Sequence, residues 1–486
     1  MSTLPPPLPR ADELALARGV IGPFAERVLK EKGVDSSTAF RTLNALAAVD
    51  PARVLEAIAA KPFKEGWFND SLRSDAAKAM LAEAPDEALA VVESIESAER
   101  RSYAFADLCD RLPRDDRAGK LRLLDRTLLA ARAVPDPAHK IVGIATIAEH
   151  WIDLGETDRA AKLLREFEPV ARALSTKGWD AYARGHFAKE LSQIDPPAAL
   201  KLIEVLGEGE DFEPDRYRLN IAQELAGRDP AAAERVLDDL KRPASIVRHG
   251  PRIVHAMALK DPARARRIAD RMATFPDEVR TFPFHHPYAL GMMALALADT
   301  DKAAARALLE ESYRELAGLA KEGRRAFQDM EDAAVVAAAL LPVAERIDPS
   351  LVPGYFWRAA SWRGTATAAS RSRSMPDAVL ALLLARYDRD VARALLEPLV
   401  SGGLSKPGGE AGSSLLAMAA IDPRRAVTLL ETVPDDPDAG LNPFRNPKNE
   451  ARLQLAGALA ARPEDRWDRA VEKLLHLWTV GREDIF

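Results

Sequence analysis

The chain is poor in the residues that cross-linking, catalysis and membrane insertion draw on. Its 486 residues hold one cysteine, Cys109. That excludes an intrachain disulfide and suits a reducing compartment, so the expected location is cytoplasmic. Aromatic residues make up only 6%, so a core must be built from aliphatic side chains. No uninterrupted apolar run reaches roughly eighteen residues, and no membrane span is expected. The opening MSTLPPPLPR has no apolar stretch of the secretory kind, so no signal is expected there. No stretch of alternating β-branched residues reads as a strand. Metal and nucleotide motifs are missing as well. There is no HExxH and no cysteine pair, and the Gly-rich stretch 401–414 lacks the Gly-Lys-Ser/Thr ending of a phosphate loop. No nucleophile elbow or Ser/His/Asp set stands out. The chain is therefore expected to have no catalytic residues, no metal and no cofactor, and not to be an enzyme.

What is present is a repeat. Hydrophobic residues are 47% of the chain, mostly alanine and leucine, which favour helix. Asp50, Asp195, Asp229, Asp261 and Asp422 each stand directly before a proline. An aspartate carboxylate caps a helix by accepting from the free N–H groups of its first turn. Proline suits the first helical position, where no N–H is needed and φ is already helical. Each Asp-Pro therefore marks the start of a helix. Four residues after the aspartate come Val54, Ala199, Ala233, Ala265 and Ala426. Eight after come Ile58, Ile203, Leu237, Ala269 and Leu430. That spacing lays one apolar stripe along the helix. Four before the aspartate lie Leu46, Leu191, Leu225, Met257 and Met418, followed by the small residues Ala47, Ser192, Ala226, Ala258 and Ala419. These close a preceding helix and let it approach the next. Weaker copies fall near Pro85, Arg114, Thr157, Thr300, Asp348, Asp388 and Pro463, with Thr157 and Thr300 read as the caps of theirs. In the turn before Thr157, Gly155 reads as the C-terminal cap.

The expected fold is all-α, an α-solenoid of about twelve helix-turn-helix units with a period of about 37 residues. The Asp-Pro turn before an apolar second helix resembles HEAT repeats, and the alternation of small and large residues resembles tetratricopeptide repeats. Similar cadences occur in helical-repeat segments of large bacterial proteins. The resemblance covers nearly the whole chain and implies a binding scaffold, with no activity attached. Residues 1–10 are proline-rich and read as a disordered tail; the solenoid is expected over 11–486. Within it, 349–376 reads as irregular and 401–414 and 433–448 as loops.

With 68 basic and 74 acidic residues the net charge is −6, which disfavours a general nucleic-acid coat. The partner expected is another protein or a peptide. Two sets of residues are candidates for contacting it. The first is an acid-free segment holding Tyr355, Trp357, Arg358, Trp362, Arg363, Arg371 and Arg373. Guanidinium forks and aromatic faces suit acidic partners or stacked bases, whereas a loop with buried rings and solvated arginines would carry the same residues. The second set is Tyr182, Tyr217, His249 and Tyr288, which recur 12 or 13 residues before their turns, with Tyr103 close to the same register. One repeat position forms one edge of a solenoid, so these rings read as a peptide-binding ladder or as packing between repeats. Two other readings stay open: nucleic-acid binding through the Arg/Trp segment 355–373, and an enzyme whose repeats close into a toroid around a pocket.

Overall fold

In the computed structural model the described residues are 8–31, 33–113, 115–206, 214–240, 246–274, 284–322, 326–364, 374–402, 410–433, 435–436, 440–443 and 446–461. Among them every regular element is helical and no strand occurs. In order these are α1 (Arg10–Lys30), α2 (Ser36–Ala47), α3 (Pro51–Ala60), α4 (Gly66–Met80), α5 (Pro85–Glu93), α6 (Ala98–Arg111), α7 (Arg117–Ala133) and α8 (Pro137–Asp153). There follow α9 (Thr157–Ala173), α10 (Gly178–Ser192), α11 (Pro196–Glu204), α12 (Pro214–Ala226), α13 (Pro230–Asp238), α14 (Ile246–Ala258), α15 (Pro262–Ala273), α16 (His285–Leu297) and α17 (Lys302–Glu322). The last are α18 (Ala326–Ala339), α19 (Leu341–Ile347), α20 (Val352–Gly364), α21 (Ser374–Ala385), α22 (Arg389–Gly402), α23 (Glu410–Ile421), α24 (Pro423–Leu430) and α25 (Pro447–Ala460). The alanine- and leucine-rich composition thus yields helix in every regular element of the described residues, as expected.

All five Asp-Pro pairs begin helices. The carboxylates of Asp50, Asp195, Asp229, Asp261 and Asp422 accept from the backbone N–H three residues on, with proline in the first turn. The apolar stripe behind them is buried: Val54, Ala199, Ala233, Ala265 and Ala426 are fully inaccessible. Each large residue of the stripe contributes roughly 1.5–3 kcal/mol by leaving water. Asp136 before Pro137 caps α8 in the same way, although α8 opens a hairpin instead of closing one. Two caps differ from expectation. Helix α9 starts at Thr157 with Glu156 before it and no side-chain cap. Asp301, not Thr300, accepts from Ala304 N–H at 2.9 Å. In both cases a neighbouring residue, not the threonine, occupies the cap position. Gly155 does take the left-handed conformation (φ 76°). Gly155 N–H donates to Ile152 and Glu156 N–H to Trp151, a Schellman ending for α8.

Contacts divide the chain into two compact units, one of Met1–Met80, Leu316–Leu341 and Ser350–Phe486, the other of Leu81–Glu315 and Pro342–Pro349. In the second unit α6, α8, α10, α12, α14 and α16 pack in file, each on the next. The intervening helices α7, α9, α11, α13 and α15 lie against the first helix of their own hairpin. Basic side chains tie hairpins together by capping helix ends, where partial negative charge collects. Buried Arg184 is the fullest case. Its Nε donates to Leu202 O at 2.7 Å and its Nη1 to Arg172 O at 3.0 Å and Leu174 O at 3.3 Å. The ends of α9 and α11 are thereby held by one guanidinium.

In the first unit α21, α23 and α25 pack in file, and α25 continues onto α1 and α2. Arg10 reinforces that junction: its guanidinium donates to the carbonyls of Leu459, Ala460 and Ala461, at 2.7 Å for Ala461. The N-terminal helix and the last described helix are thus direct neighbours. The segment expected to be irregular from 349 to 376 is regular in its first half. Helix α20 spans Val352–Gly364 after a short 3-10 turn at Pro349–Leu351, and residues 365–373 lie outside the described ones. Of the expected loop 401–414, the last five residues belong to α23. Residues 462–486 also lie outside the described ones. Among the described residues no helix is long and apolar enough to cross a membrane.

Candidate functional site

The residues that stand out lie on the first helices of the second unit. Along α10 they are Trp179, Tyr182, His186 and Lys189, spaced three and four apart, so one face of the helix carries them all. Trp179 and Tyr182 are large rings left 46% and 37% exposed. They stack on each other at 4.7 Å with 19° between planes. His139, at the start of α8, lies 5.1 Å from Trp179, and His186 meets Tyr182 edge-on at 6.1 Å. His139 is held from both sides. Its Nδ1 lies 2.9 Å from Asp136 Oδ1 and its Nε2 3.3 Å from Glu99 Oε1. Tyr103 of α6 is nearby, its hydroxyl buried with no hydrogen-bond partner among the described residues. Burial, then the charge of Glu99, raises that phenol well above its usual range.

Tyr217 of α12 is buried and donates to the Tyr182 carbonyl at 3.5 Å. Its ring occupies the space that a side chain at position 185 would need. A Cβ on Gly185 would stand 2.6 Å from Tyr217 Cε2. The absence of a side chain is what lets α10 and α12 approach here.

Further along the same face is a cluster of charges. Lys189 Nζ lies 3.0 Å from Glu149 of α8 and 2.8 Å from Glu190. Glu190 is wholly buried, and its Oε2 accepts from Gln193 Nε2 at 3.0 Å. Burial pushes the Glu190 carboxyl up to about 7, against the pull of Lys189. Burial also raises Glu224 of α12. Lys189 is raised too: burial would lower it, but the Glu190 and Glu149 carboxylates outweigh that. His186 is lowered by burial and then by Lys189, so its imidazole is uncharged at neutral pH. Cys109 is also buried, and burial pushes its thiol to about 11, so it supplies no thiolate near neutral pH. Among the described residues no three His, Cys, Asp or Glu side chains are grouped so as to hold a metal ion.

Of the ladder read from the sequence, the structure joins Tyr182 to Tyr217 and differs in exposure. Tyr182 is open and Tyr217 is core. His249 on α14 and Tyr288 on α16 are half-buried, and burial raises the Tyr288 phenol. In the Arg/Trp segment, Tyr355 is buried with the Arg358 guanidinium 5.7 Å from its ring centre. Trp357 is 60% exposed and meets Phe356 edge-on at 5.2 Å; Trp362 is half-buried. Arg363 belongs to α20, its side chain outside the described set, and Arg371 and Arg373 lie outside the described residues. Sequence reasoning missed Trp179, His139 and the Lys189 cluster. The signal was available in the 3-4-3 spacing from Trp179 to Lys189. Comparison with family models, with curated proteins and with solved structures found no match.

Proposed function

We propose that the chain is a helical-repeat scaffold of the α-solenoid kind that binds a segment of another protein across α8, α10 and α12. The observation that carries this reading is the stack of His139, Trp179 and Tyr182. It leaves two large rings open to water on otherwise well-buried helices. Tyrosine and tryptophan dominate the energetic centres of protein interfaces, because they combine area with few rotatable bonds. The file of first helices from α6 to α16 supports the solenoid reading, since each hairpin buries its face against its neighbours.

Selection from a random peptide library on the folded chain tests the proposal. Enriched peptides are expected to lose affinity by about tenfold or more, roughly 1.4 kcal/mol, in Trp179→Ala and Tyr182→Ala. Both side chains are exposed, so the thermal midpoint should stay put. A selection whose winners bind Trp179→Ala as well as the wild type would remove this face from consideration.

A further inference from the structure

On the first unit, α1, α24 and α25 border an open groove of about 730 Å³. Helix α1 lines it with one stripe running from Asp12 to Arg27, about 22 Å at 1.5 Å per residue. It is a trough open along its length between helices, a form that suits a chain laid in extended conformation. Leu16, Val20 and Phe24 of α1, with Val427 and Leu430 of α24, make its apolar lining. Gly19 leaves the middle open, with nothing within 4 Å of where its Cβ would be.

The charges on this lining are uneven. Arg27, Arg424 and Arg452 reach it from three different helices. Among the described residues none of the three is paired with a carboxylate; Arg452 Nη1 donates to the neutral Asn449 Oδ1 at 2.8 Å. The two carboxylates present do not offset them. Glu431 pairs with Lys448 at 3.3 Å, and Asp12 sits in the first turn of α1, where the helix end favours an anion. Most other arginines on this unit's helices have acidic partners, as in Arg53–Glu26, Arg73–Asp70 and Arg425–Glu397. One carboxylate head group satisfies one guanidinium fork, or two at most. Three forks on separate walls call for several acids on one ligand.

We infer that this groove takes an extended acidic peptide segment of a partner protein, its Asp and Glu side chains on the three arginines and its apolar residues on the floor. About six or seven residues fill the length at 3.3 Å each. This surface is separate from the aromatic face, so the two readings stand or fall independently.

Fluorescence anisotropy on the full chain tests it. One labelled ten-residue peptide alternates Asp and Glu with Leu and Phe; a second replaces the acids with Lys. The acidic peptide is expected to bind with a Kd of about 10 µM and to weaken as salt is added, and the lysine peptide not to bind. The double variant Arg27→Gln/Arg424→Gln should lose about tenfold or more. Gly19→Leu should do the same by filling the trough. It adds a helix-favouring side chain in open space, so its circular dichroism and thermal midpoint should match the wild type or exceed it. No binding of the acidic peptide at about 1 mM would overturn the inference. So would equal binding of both peptides, or full affinity in either variant. Arginine-dependent binding of oleate or of an oligonucleotide, with none of the peptide, would assign the groove to a different class of ligand and overturn it too.

Discussion

In the second unit the two sets of helices hold different kinds of residue. The second helices α11, α13 and α15 are uniform. Each opens on an Asp-Pro cap, buries one stripe and turns its other face to water. On α13 and α15 that outer face carries ion pairs between neighbouring hairpins, Arg267–Glu234 and Arg271–Asp238, and the second helices α7 and α9 pair likewise through Arg132–Glu166 and Arg159–Asp125. The first helices α8, α10 and α12 keep the stripe but depart from the pattern beside it. They carry a helix contact that needs glycine, a buried carboxylate, and rings left in water. Burying the Glu190 carboxylate is costly unless it is paired, as it is with half-buried Lys189. Exposing Trp179 and Tyr182 leaves apolar area unburied. The departures gather on one set of helices, while the other set supplies regular packing. The difference separates residues that specify the fold from residues available for another task.

Four measurements sharpen or break this contrast. The largest effect is expected at the closest contact between first helices. Gly185→Ala places a methyl against the Tyr217 ring, which is itself wedged between α10 and α12. The cost should be about 3 kcal/mol, at the upper end of overpacking, visible as a lower urea midpoint. Gly250→Ala on α14 is the control, because it meets the flexible thioether of Met272 and should cost less. Equal midpoints for the two would mean that the α10–α12 approach is not the constrained one.

Next is the pH dependence carried by Glu190. Its carboxyl is raised to about 7 from an unfolded value near 4.3, so between those values the folded state binds the extra proton. Its contribution to stability is therefore neutral at low pH and turns unfavourable as pH rises from about 4.5 through about 7, by about 2–3 kcal/mol. Glu190→Gln removes that term. The stability of this variant relative to the wild type should climb between pH 5 and pH 8. A constant difference across that range would contradict a carboxyl titrating there.

The caps come third. Asp229→Ala and Asp261→Ala each remove a carboxylate that accepts a first-turn N–H at 2.9 Å, and each should cost about 1 kcal/mol. A loss near 3 kcal/mol, matching Gly185→Ala, would erase the contrast between the two sets of helices. The smallest effect belongs to the exposed pairs. Arg159→Ala should change stability by no more than about 0.5 kcal/mol, less still in 1 M salt. A larger loss would point to the Arg159 guanidinium, which lies 4.3 Å from the centre of the Trp151 ring, instead of to the charge of Asp125.

Much of the frame was legible beforehand because its causes are local. Proline fixes φ, aspartate caps within three residues, and an apolar stripe follows from helical period alone; Asp195, Leu202 and Ile203 show all three within nine positions. The site was legible only in part. Tyr182 and Tyr217 fall 13 and 12 residues before their Asp-Pro turns and were read as equals, yet the first is exposed and the second is core. Their difference is made by Gly185, which opens the space the Tyr217 ring fills. His139 was invisible as a neighbour of Trp179 because it lies 40 residues away on another helix.

By itself the sequence determined the helical class, the helix starts at the Asp-Pro pairs and the buried stripe behind them, since all three depend on interactions within a turn or two of helix. Only the tertiary structure decided which polar residues meet. The pairing of Lys189 with Glu149, the stack on Trp179 and the seating of α1 on α25 depend on how separate helices lie against one another. Those distances are set by packing between residues far apart in the chain, which no local period encodes.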